Sequence, residues 1–126
     1  QCIMPLIDSD LLELSINIKN SSEFDSLKLG IKTLKSLTVI LSSGGYPEKY
    51  KSGYEIKGLN KLGDLTVFHA GVKKKNNSLF TSGGRVLAIT SLGKSFEDSF
   101  EKAYDGLKII SFKDMYYRND IGRNSR

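Results

Sequence analysis

The amino-acid sequence predicts an α+β fold, in which a small antiparallel β-sheet is accompanied by flanking helices. Short apolar segments rich in β-branched residues alternate with glycine-containing turns, which is typical of antiparallel strands. One later segment instead repeats its apolar residues at the spacing of an amphipathic helix. The strands are predicted at 37–41, 65–72, 79–81 and 85–91, and this helix at 95–110.

A short helix is predicted after an extended segment at 1–7. Ser9 is the expected N-cap, and Asp10 is well placed against the positive end of the helix dipole. Leucine and isoleucine side chains then recur on one face as far as about Lys19, after which Asn20-Ser21-Ser22 ends the helix.

The pattern of residues 23–36 is ambiguous. Apolar residues recur there at helical spacing, but Gly30 would cost a helix about 1 kcal/mol relative to alanine. These apolar positions are Phe24, Leu27, Ile31 and Leu34. The next segment, 37–41, is Leu-Thr-Val-Ile-Leu and is followed by Gly44-Gly45, so it is predicted to be a buried strand that ends in a glycine turn.

The sequence pattern in the middle of the chain predicts an antiparallel meander of at least three strands. Tyr54-Glu55-Ile56 is a candidate edge strand. The segment 65–72 alternates between two faces and carries His69 in its middle. Lys73 to Ser78 is predicted to be a solvated turn, from which the chain returns at 79–81 before the buried strand at 85–91.

The strongest helical pattern lies at 95–110, where Ser95 and Asp98 have the spacing of a capping box. The face predicted to pack on the sheet consists of Phe96, Phe100, Ala103, Leu107 and Ile110. From Phe112 onward no period is present. The aromatic cluster Met115-Tyr116-Tyr117 is expected to pack back onto the domain, and residues 124–126 are expected to fray.

The composition is that of one soluble globular domain. The chain has 126 residues, of which 39% are hydrophobic and 26% charged, and no apolar run approaches the roughly 18 residues of a membrane helix. Its single cysteine, Cys2, excludes an internal disulfide and a multi-cysteine zinc site. Because the start lacks both a methionine and the pattern of a signal peptide, we expect a piece of a longer cytoplasmic chain.

The net charge of +5 raises the question of nucleic-acid binding. The basic residues are spread along the chain, apart from the run at 73–75, and comprise 15 lysines but only 4 arginines. Proteins that read a base sequence rely on arginine for bidentate contacts. Specific binding to nucleic acid is therefore not expected.

Two glycine pairs are the most informative local features. Gly44-Gly45 follows a predicted strand, and Gly83-Gly84 precedes another, so the two turns are expected to meet at one end of the sheet. Paired glycines let backbone N–H groups approach an anion, and the neighbouring Arg85 would add a bidentate donor. The candidate substrate-binding residues are Gly44, Gly45, Tyr46, Pro47, Gly83, Gly84 and Arg85. The alternative is that both pairs only make tight turns, since neither is a Walker loop or a dinucleotide fingerprint.

Three other reactive positions have plainer explanations. His69 is expected to be a satisfied strand residue rather than a general base, because no orienting partner is evident. Cys2 lies among apolar residues and is expected to be a buried, inert thiol. Asp8 and Asp10 have a spacing that would suit a cation, but the acidic start of a helix explains them without one. No catalytic or metal-binding residue is assigned.

Four separate motifs occur in a fixed order along the chain. They are Ser-Gly-Gly-Tyr-Pro at 43–47, Val-Phe-His-Ala-Gly at 67–71, Thr-Ser-Gly-Gly-Arg-Val-Leu at 81–87 and Tyr-Tyr-Arg-Asn-Asp-Ile-Gly at 116–122. Pro5-Leu6 and the segment 9–14 precede them. Together they resemble the carboxy-terminal part of the phosphoribosylamine–glycine ligases, also called glycinamide ribonucleotide synthetases. The resemblance covers nearly the whole chain and is weakest over 19–36.

The resemblance implies a specific role. Ligases of this ATP-grasp family join glycine to 5-phosphoribosylamine, using ATP and Mg²⁺ (or Mn²⁺), in purine biosynthesis, through a glycyl phosphate. It implies that 1–20 are the end of the ATP-grasp domain and that 21–126 form the carboxy-terminal domain, with a rudimentary single-hybrid-like fold. Gln1 matches a position just after the family's metal-binding residues, so the partners would be the missing amino-terminal and ATP-grasp lobes. The chain alone would then bind no ATP or metal and would not catalyse the reaction.

Two other hypotheses about function are compatible with the sequence. One is a basic binding or assembly module without catalysis. The other is the second chain of a split or proteolysed ligase. Retention on nucleic acid with a steep dependence on salt would favour the first. A companion chain that carries the grasp lobes would favour both the split ligase and the carboxy-terminal domain that the resemblance implies.

Overall fold

The computed structural model describes residues 1–18 and 28–123. In these two ranges, two α-helices accompany seven antiparallel strands, which confirms the predicted α+β fold. The helices are α1 (Leu11–Ile18) and α2 (Phe96–Ile109). The strands are β1 (Lys35–Ser43), β2 (Glu55–Ile56), β3 (Thr66–His69), β4 (Val72–Lys75), β5 (Ser78–Thr81), β6 (Arg85–Gly93) and β7 (Met115–Tyr116).

The core lies between α2 and a four-stranded sheet with the order β3-β6-β1-β7. The two nine-residue strands β1 and β6 form its centre, with Val39 opposite Ile89. Both strands are rich in β-branched and aliphatic residues, which pack well on a pleated surface. Leu37, Val39 and Leu41 alternate toward the helix and are buried, whereas Thr38 and Ile40 between them are not.

Helix α2 begins at the predicted cap. The Ser95 hydroxyl accepts a hydrogen bond from the Asp98 amide, and the Asp98 carboxylate accepts one from the Lys94 amide. Ala103, Leu107 and Ile110 are buried as predicted. Phe100 is half-buried against the core.

One position of the predicted helix face is wrong. Phe96 is 41% exposed, with its ring 5.4 Å from Nζ of Lys35. It is the first residue of α2, and helical side chains point back toward the amino terminus, so its ring projects beyond the end of the helix instead of onto the sheet.

The predicted strand at 65–72 is in fact two strands that belong to different sheets. The chain bends at Ala70–Gly71, where the Gly71 amide donates to the Arg85 carbonyl at 2.8 Å. A Cβ at Gly71 would lie 2.7 Å from Cα of Gly83, so only glycine allows this backbone approach. The predicted single sheet is therefore wrong: β3 joins the main sheet, and β4 joins a second sheet with the order β2-β5-β4.

The lysine run belongs to a strand and does not form the predicted turn. Lys73 pairs with Phe80 and Lys75 with Ser78 across the hairpin of β4 and β5. The turn is confined to the two residues between them, of which Asn76 has a φ of 53°.

The amino-terminal helix exists, but its cap differs from the prediction. Asp10 Oδ1 accepts hydrogen bonds from the amides of Leu12 and Glu13, whereas Ser9 Oγ accepts one from the Gly30 amide. A carboxylate at this position also suits the helix dipole, which explains why it replaces the serine as cap.

The ambiguous segment is only partly described. Phe24 and Leu27 lie outside the described residues. Ile31 pairs with Ile7 in an isolated antiparallel bridge, and no helix is present from 28 to 34.

The carboxy-terminal aromatic cluster packs onto the domain, as predicted. Met115 and Tyr117 are half-buried against the core and Phe112 is buried, whereas Tyr116 is 57% exposed. The predicted fraying falls on 124–126, outside the described residues. No helix in the described ranges has the length and apolarity that crossing a membrane requires.

Candidate functional site

The two glycine turns meet, as their positions at the strand ends led us to expect. The Ser43 amide donates to the Gly84 carbonyl at 2.8 Å, and the Ser43 hydroxyl donates to the Gly83 carbonyl at 2.9 Å. The ring of Tyr46 lies directly against Gly84. The structure thus places Gly44-Gly45-Tyr46-Pro47 beside Gly83-Gly84-Arg85, and their role in substrate binding stays a prediction.

Local packing accounts for the first glycine pair. The Gly44 amide donates to the Asp114 carbonyl at 2.6 Å, and a Cβ on Gly44 would lie 2.7 Å from the same oxygen. Gly45 has a φ of +92°, which side chains disfavour. The amides of Gly44 and Tyr46 are both bound within the protein, so neither is available to an anion.

Arg85 presents an uncompensated positive charge beside the turns. It is the first residue of β6 and lies opposite Ser42, where the register of β1 and β6 shifts by a bulge. Its side chain is exposed, and no residue in 1–18 or 28–123 forms an ion pair or side-chain hydrogen bond with it. Within the described residues, Arg85 therefore does not stabilise the turn by pairing with an acidic side chain.

A cavity of about 300 Å³ opens next to Arg85. Its floor is formed by the side of β1 that faces away from α2, and its walls by Tyr46 and by the segment 116–121. The lining is largely apolar and aromatic and includes Ile40, Tyr46, Arg85, Tyr116, Arg118 and Ile121. A mostly apolar cavity with a few polar groups at its rim is the usual form of a small-molecule site.

The second arginine of the cavity is already neutralised. Arg118 binds Asp120 through two hydrogen bonds, Nε to Oδ1 at 2.9 Å and Nη2 to Oδ2 at 2.6 Å. The hydrogen bonds from Arg118 lower the pKa of the Asp120 carboxyl. Among the described residues that line the cavity, Arg85 therefore supplies the free cationic group, while Arg118 belongs to the wall and is held by Asp120.

Sequence reasoning included the 116–122 motif in the family resemblance but assigned it no place in a site. The Arg118-Asn119-Asp120 spacing, which brings opposite charges within reach of each other, was the available signal. It could not show that the motif folds back beside Arg85, because that position depends on contacts with α2.

The other reactive positions lie elsewhere. His69 is exposed on β3, beside Lys74 and Asn77, and does not line the cavity of Arg85. Cys2 is exposed and donates from Sγ to the Thr38 hydroxyl at 3.0 Å, so the predicted burial of this thiol is wrong. The segment that contains it crosses the solvent-facing side of the sheet instead of entering the core. Among the described residues no three His, Cys, Asp or Glu side chains come together as a metal site.

Comparison with known proteins gives consistent results. The family model described as phosphoribosylglycinamide synthetase, C domain, matches residues 36–124. A phosphoribosylamine–glycine ligase from Fusobacterium nucleatum is 41% identical over 97% of this chain, which corresponds to 29% of that protein. The human trifunctional purine biosynthetic protein adenosine-3 is 40% identical over 97% of this chain and 12% of its own length.

A solved structure is also similar. The crystal structure of phosphoribosylamine–glycine ligase from Thermotoga maritima superposes with a TM-score of 0.62 and 35% identity, over 68% of this chain and 21% of that chain. This chain therefore spans less than a third of the length of these relatives.

Proposed function

Because the chain belongs to the family of phosphoribosylglycinamide synthetase C domains, we propose that it acts as the carboxy-terminal domain of a phosphoribosylamine–glycine ligase. The ligase would join glycine to 5-phosphoribosylamine at the expense of ATP, in the cytoplasm, as a step of purine biosynthesis. The likeness to ligases of that name over nearly the full chain supports this assignment.

The guanidinium of Arg85, which pairs with no acid among residues 1–18 and 28–123 and lies beside two meeting glycine turns, is the observation that carries the proposal. Glycine presents a carboxylate, and 5-phosphoribosylamine presents a phosphate. A guanidinium binds either group through two parallel hydrogen bonds, which fixes the orientation of the ligand as well as its position. The apolar cavity beside Arg85 would receive the uncharged part of the same ligand.

The ATP and the Mg²⁺ or Mn²⁺ of the reaction are assigned to lobes outside this chain. The described residues bring no three His, Cys, Asp or Glu side chains together, so they offer no site that would hold the metal by protein ligands alone. Residues of this chain bind and orient a substrate anion in the proposal, and the metal would disperse phosphate charge elsewhere. The chain by itself should accordingly make no glycinamide ribonucleotide from ATP, glycine and phosphoribosylamine.

Exposed apolar residues near the amino terminus support contact with those lobes. No residue of α1 is buried. Its apolar residues Leu12 and Ile16 are 70% and 58% exposed, and Ile3 before the helix is 72% exposed. Apolar groups concentrated in this way mark an interface with another protein surface. We assign 1–20 to the end of the ATP-grasp domain and 21–126 to the carboxy-terminal domain.

The test is steady-state kinetics of the ligase that carries this chain, with Arg85→Lys. Lysine keeps the charge but loses the bidentate geometry. The KM for glycine or for phosphoribosylamine should rise about tenfold, the scale of one charge-assisted hydrogen bond, while the KM for ATP stays within about twofold.

The matched control is Arg123→Lys, since Arg123 is exposed and does not line the cavity. It should leave all three KM values unchanged. Equal, small effects of Arg85→Lys on all three substrates would contradict the binding role of Arg85.

A further inference from the structure

The segment 117–121 forms one wall of the cavity beside Arg85, yet it contains no helix or strand. Its backbone therefore needs contacts from elsewhere to keep a fixed position. Within the segment, the Arg118–Asp120 pair links two side chains to each other but does not attach them to the domain.

The hydroxyl of Tyr104 supplies that attachment. Tyr104 belongs to α2, and its hydroxyl donates to the Arg118 carbonyl at 2.8 Å. The same oxygen accepts a hydrogen bond from the Ile121 amide at 3.1 Å. One hydroxyl thus holds both ends of the four-residue turn from Arg118 to Ile121, and these two end residues line the cavity. Burial raises the pKa of the Tyr104 phenol, so it remains protonated and able to donate.

The ring and the hydroxyl of Tyr104 have separable roles. The ring packs on Phe100, with centroids 4.4 Å apart, and near Tyr117 at 6.3 Å. Phenylalanine at 104 would preserve these contacts and would remove only the hydrogen bonds between the hydroxyl and the wall.

We propose that Tyr104 is a positioning residue, whose hydroxyl holds the Arg118–Ile121 wall in place and thereby sets the affinity of the cavity for the substrate anion bound by Arg85. The inference rests on the proposed function of Arg85. Tyr104 itself does not line the cavity and acts through the backbone of the wall.

The experiment compares Tyr104→Phe with the parent ligase. The KM for the substrate that responds to Arg85→Lys should rise about three- to tenfold, the scale of one or two hydrogen bonds, while kcat and the KM for ATP stay within about twofold. The Ile121 amide should also exchange with solvent faster, because it loses its acceptor, whereas amides of β1 and β6 should not.

Tyr54→Phe is the matched control. Tyr54 is likewise half-buried against the core, but it lies away from the cavity, so removal of its hydroxyl should change neither KM nor Ile121 exchange. Should Tyr104→Phe fold poorly, the exchange rate of the Ile121 amide relative to the amides of β1 and β6, measured at a temperature at which the variant is folded, tests the same attachment, and an unchanged ratio would overturn it.

The outcomes separate the two proposals. If Arg85→Lys is selective but Tyr104→Phe behaves like Tyr54→Phe, the inference on Tyr104 is overturned and the proposed function stands. If Arg85→Lys affects no substrate selectively, the role of the cavity fails, and the inference fails with it.

Discussion

The ring of Tyr46 lies so close to Gly84 that a Cβ on this glycine would come within 2.6 Å of Cε2. Glycine at position 84 is therefore required by the side chain of the first turn, and not by backbone conformation, since Gly84 does not have a positive φ. The two turns are thus one packed unit.

Substitution of Gly84 by alanine should destabilise the protein by about 1–3 kcal/mol, the usual cost of overpacking a buried position. Urea denaturation of the single variant and of the Tyr46→Ala double variant measures it. In the Tyr46→Ala background the same substitution should cost less than about 1 kcal/mol, because the obstructing ring is absent. If Gly84→Ala lowers the free energy of unfolding equally with and without Tyr46→Ala, the Tyr46 ring is not the cause of the destabilisation.

Alanine substitutions at two predicted core positions of α2 should differ strongly in their effect on the free energy of unfolding. Leu107 is fully buried, so Leu107→Ala should lower the free energy of unfolding by about 2–5 kcal/mol. Phe96 keeps 41% of its surface exposed and contacts Lys35, so Phe96→Ala should cost at most about 1 kcal/mol. Thermal or urea denaturation measures both variants. Comparable losses of unfolding free energy would show that Phe96 packs in the core.

The start of α2 should give the stability a dependence on acidic pH. The hydrogen bond from the Lys102 ammonium, followed by that from the Lys94 amide, lowers the pKa of Asp98 below its ordinary value of 3.8. Since the folded pKa lies below the unfolded one, ionised Asp98 stabilises the fold above the unfolded pKa. This stabilisation is lost as the pH falls through the folded pKa.

Asp98→Asn keeps an oxygen acceptor for the Lys94 amide but cannot ionise. The loss of stability between about pH 5 and pH 2, followed by urea midpoints, should be smaller in this variant than in the parent. Lys102→Met, which removes the largest cause of the shift, should reduce the same slope. Parallel pH profiles for all three proteins would show that Asp98 is not coupled to folding.

The long central strands and α2 could be predicted because their patterns are local and strong. Residues 37–41 and 85–91 are apolar and β-branched, and Ser95 with Asp98 marks a helix start in any context. The division of 65–72 could not be predicted in this way. Alternation continues through Ala70, and the bend depends on contact between Gly71 and Gly83, which are distant in sequence.

The candidate site was likewise predictable only where its residues carry a local sequence pattern. Glycine pairs and an arginine at strand ends are visible in the sequence, so their meeting was predictable from the antiparallel arrangement. The wall at Arg118–Ile121 was not, because its backbone is held by hydrogen bonds to a hydroxyl on α2. Residues held by tertiary hydrogen bonds carry no periodic signal.

Strand β4 forms an outer edge of the three-stranded sheet and carries the exposed residues Lys73, Lys74 and Lys75. A free strand edge offers unpaired backbone groups to the edge of another molecule. Two copies that approached edge to edge would bring these ammonium groups together. Their repulsion extends over about 10 Å at 0.1 M salt but only about 3 Å at 1 M. The lysines therefore protect the protein against self-association into extended sheets, and this protection weakens as salt rises.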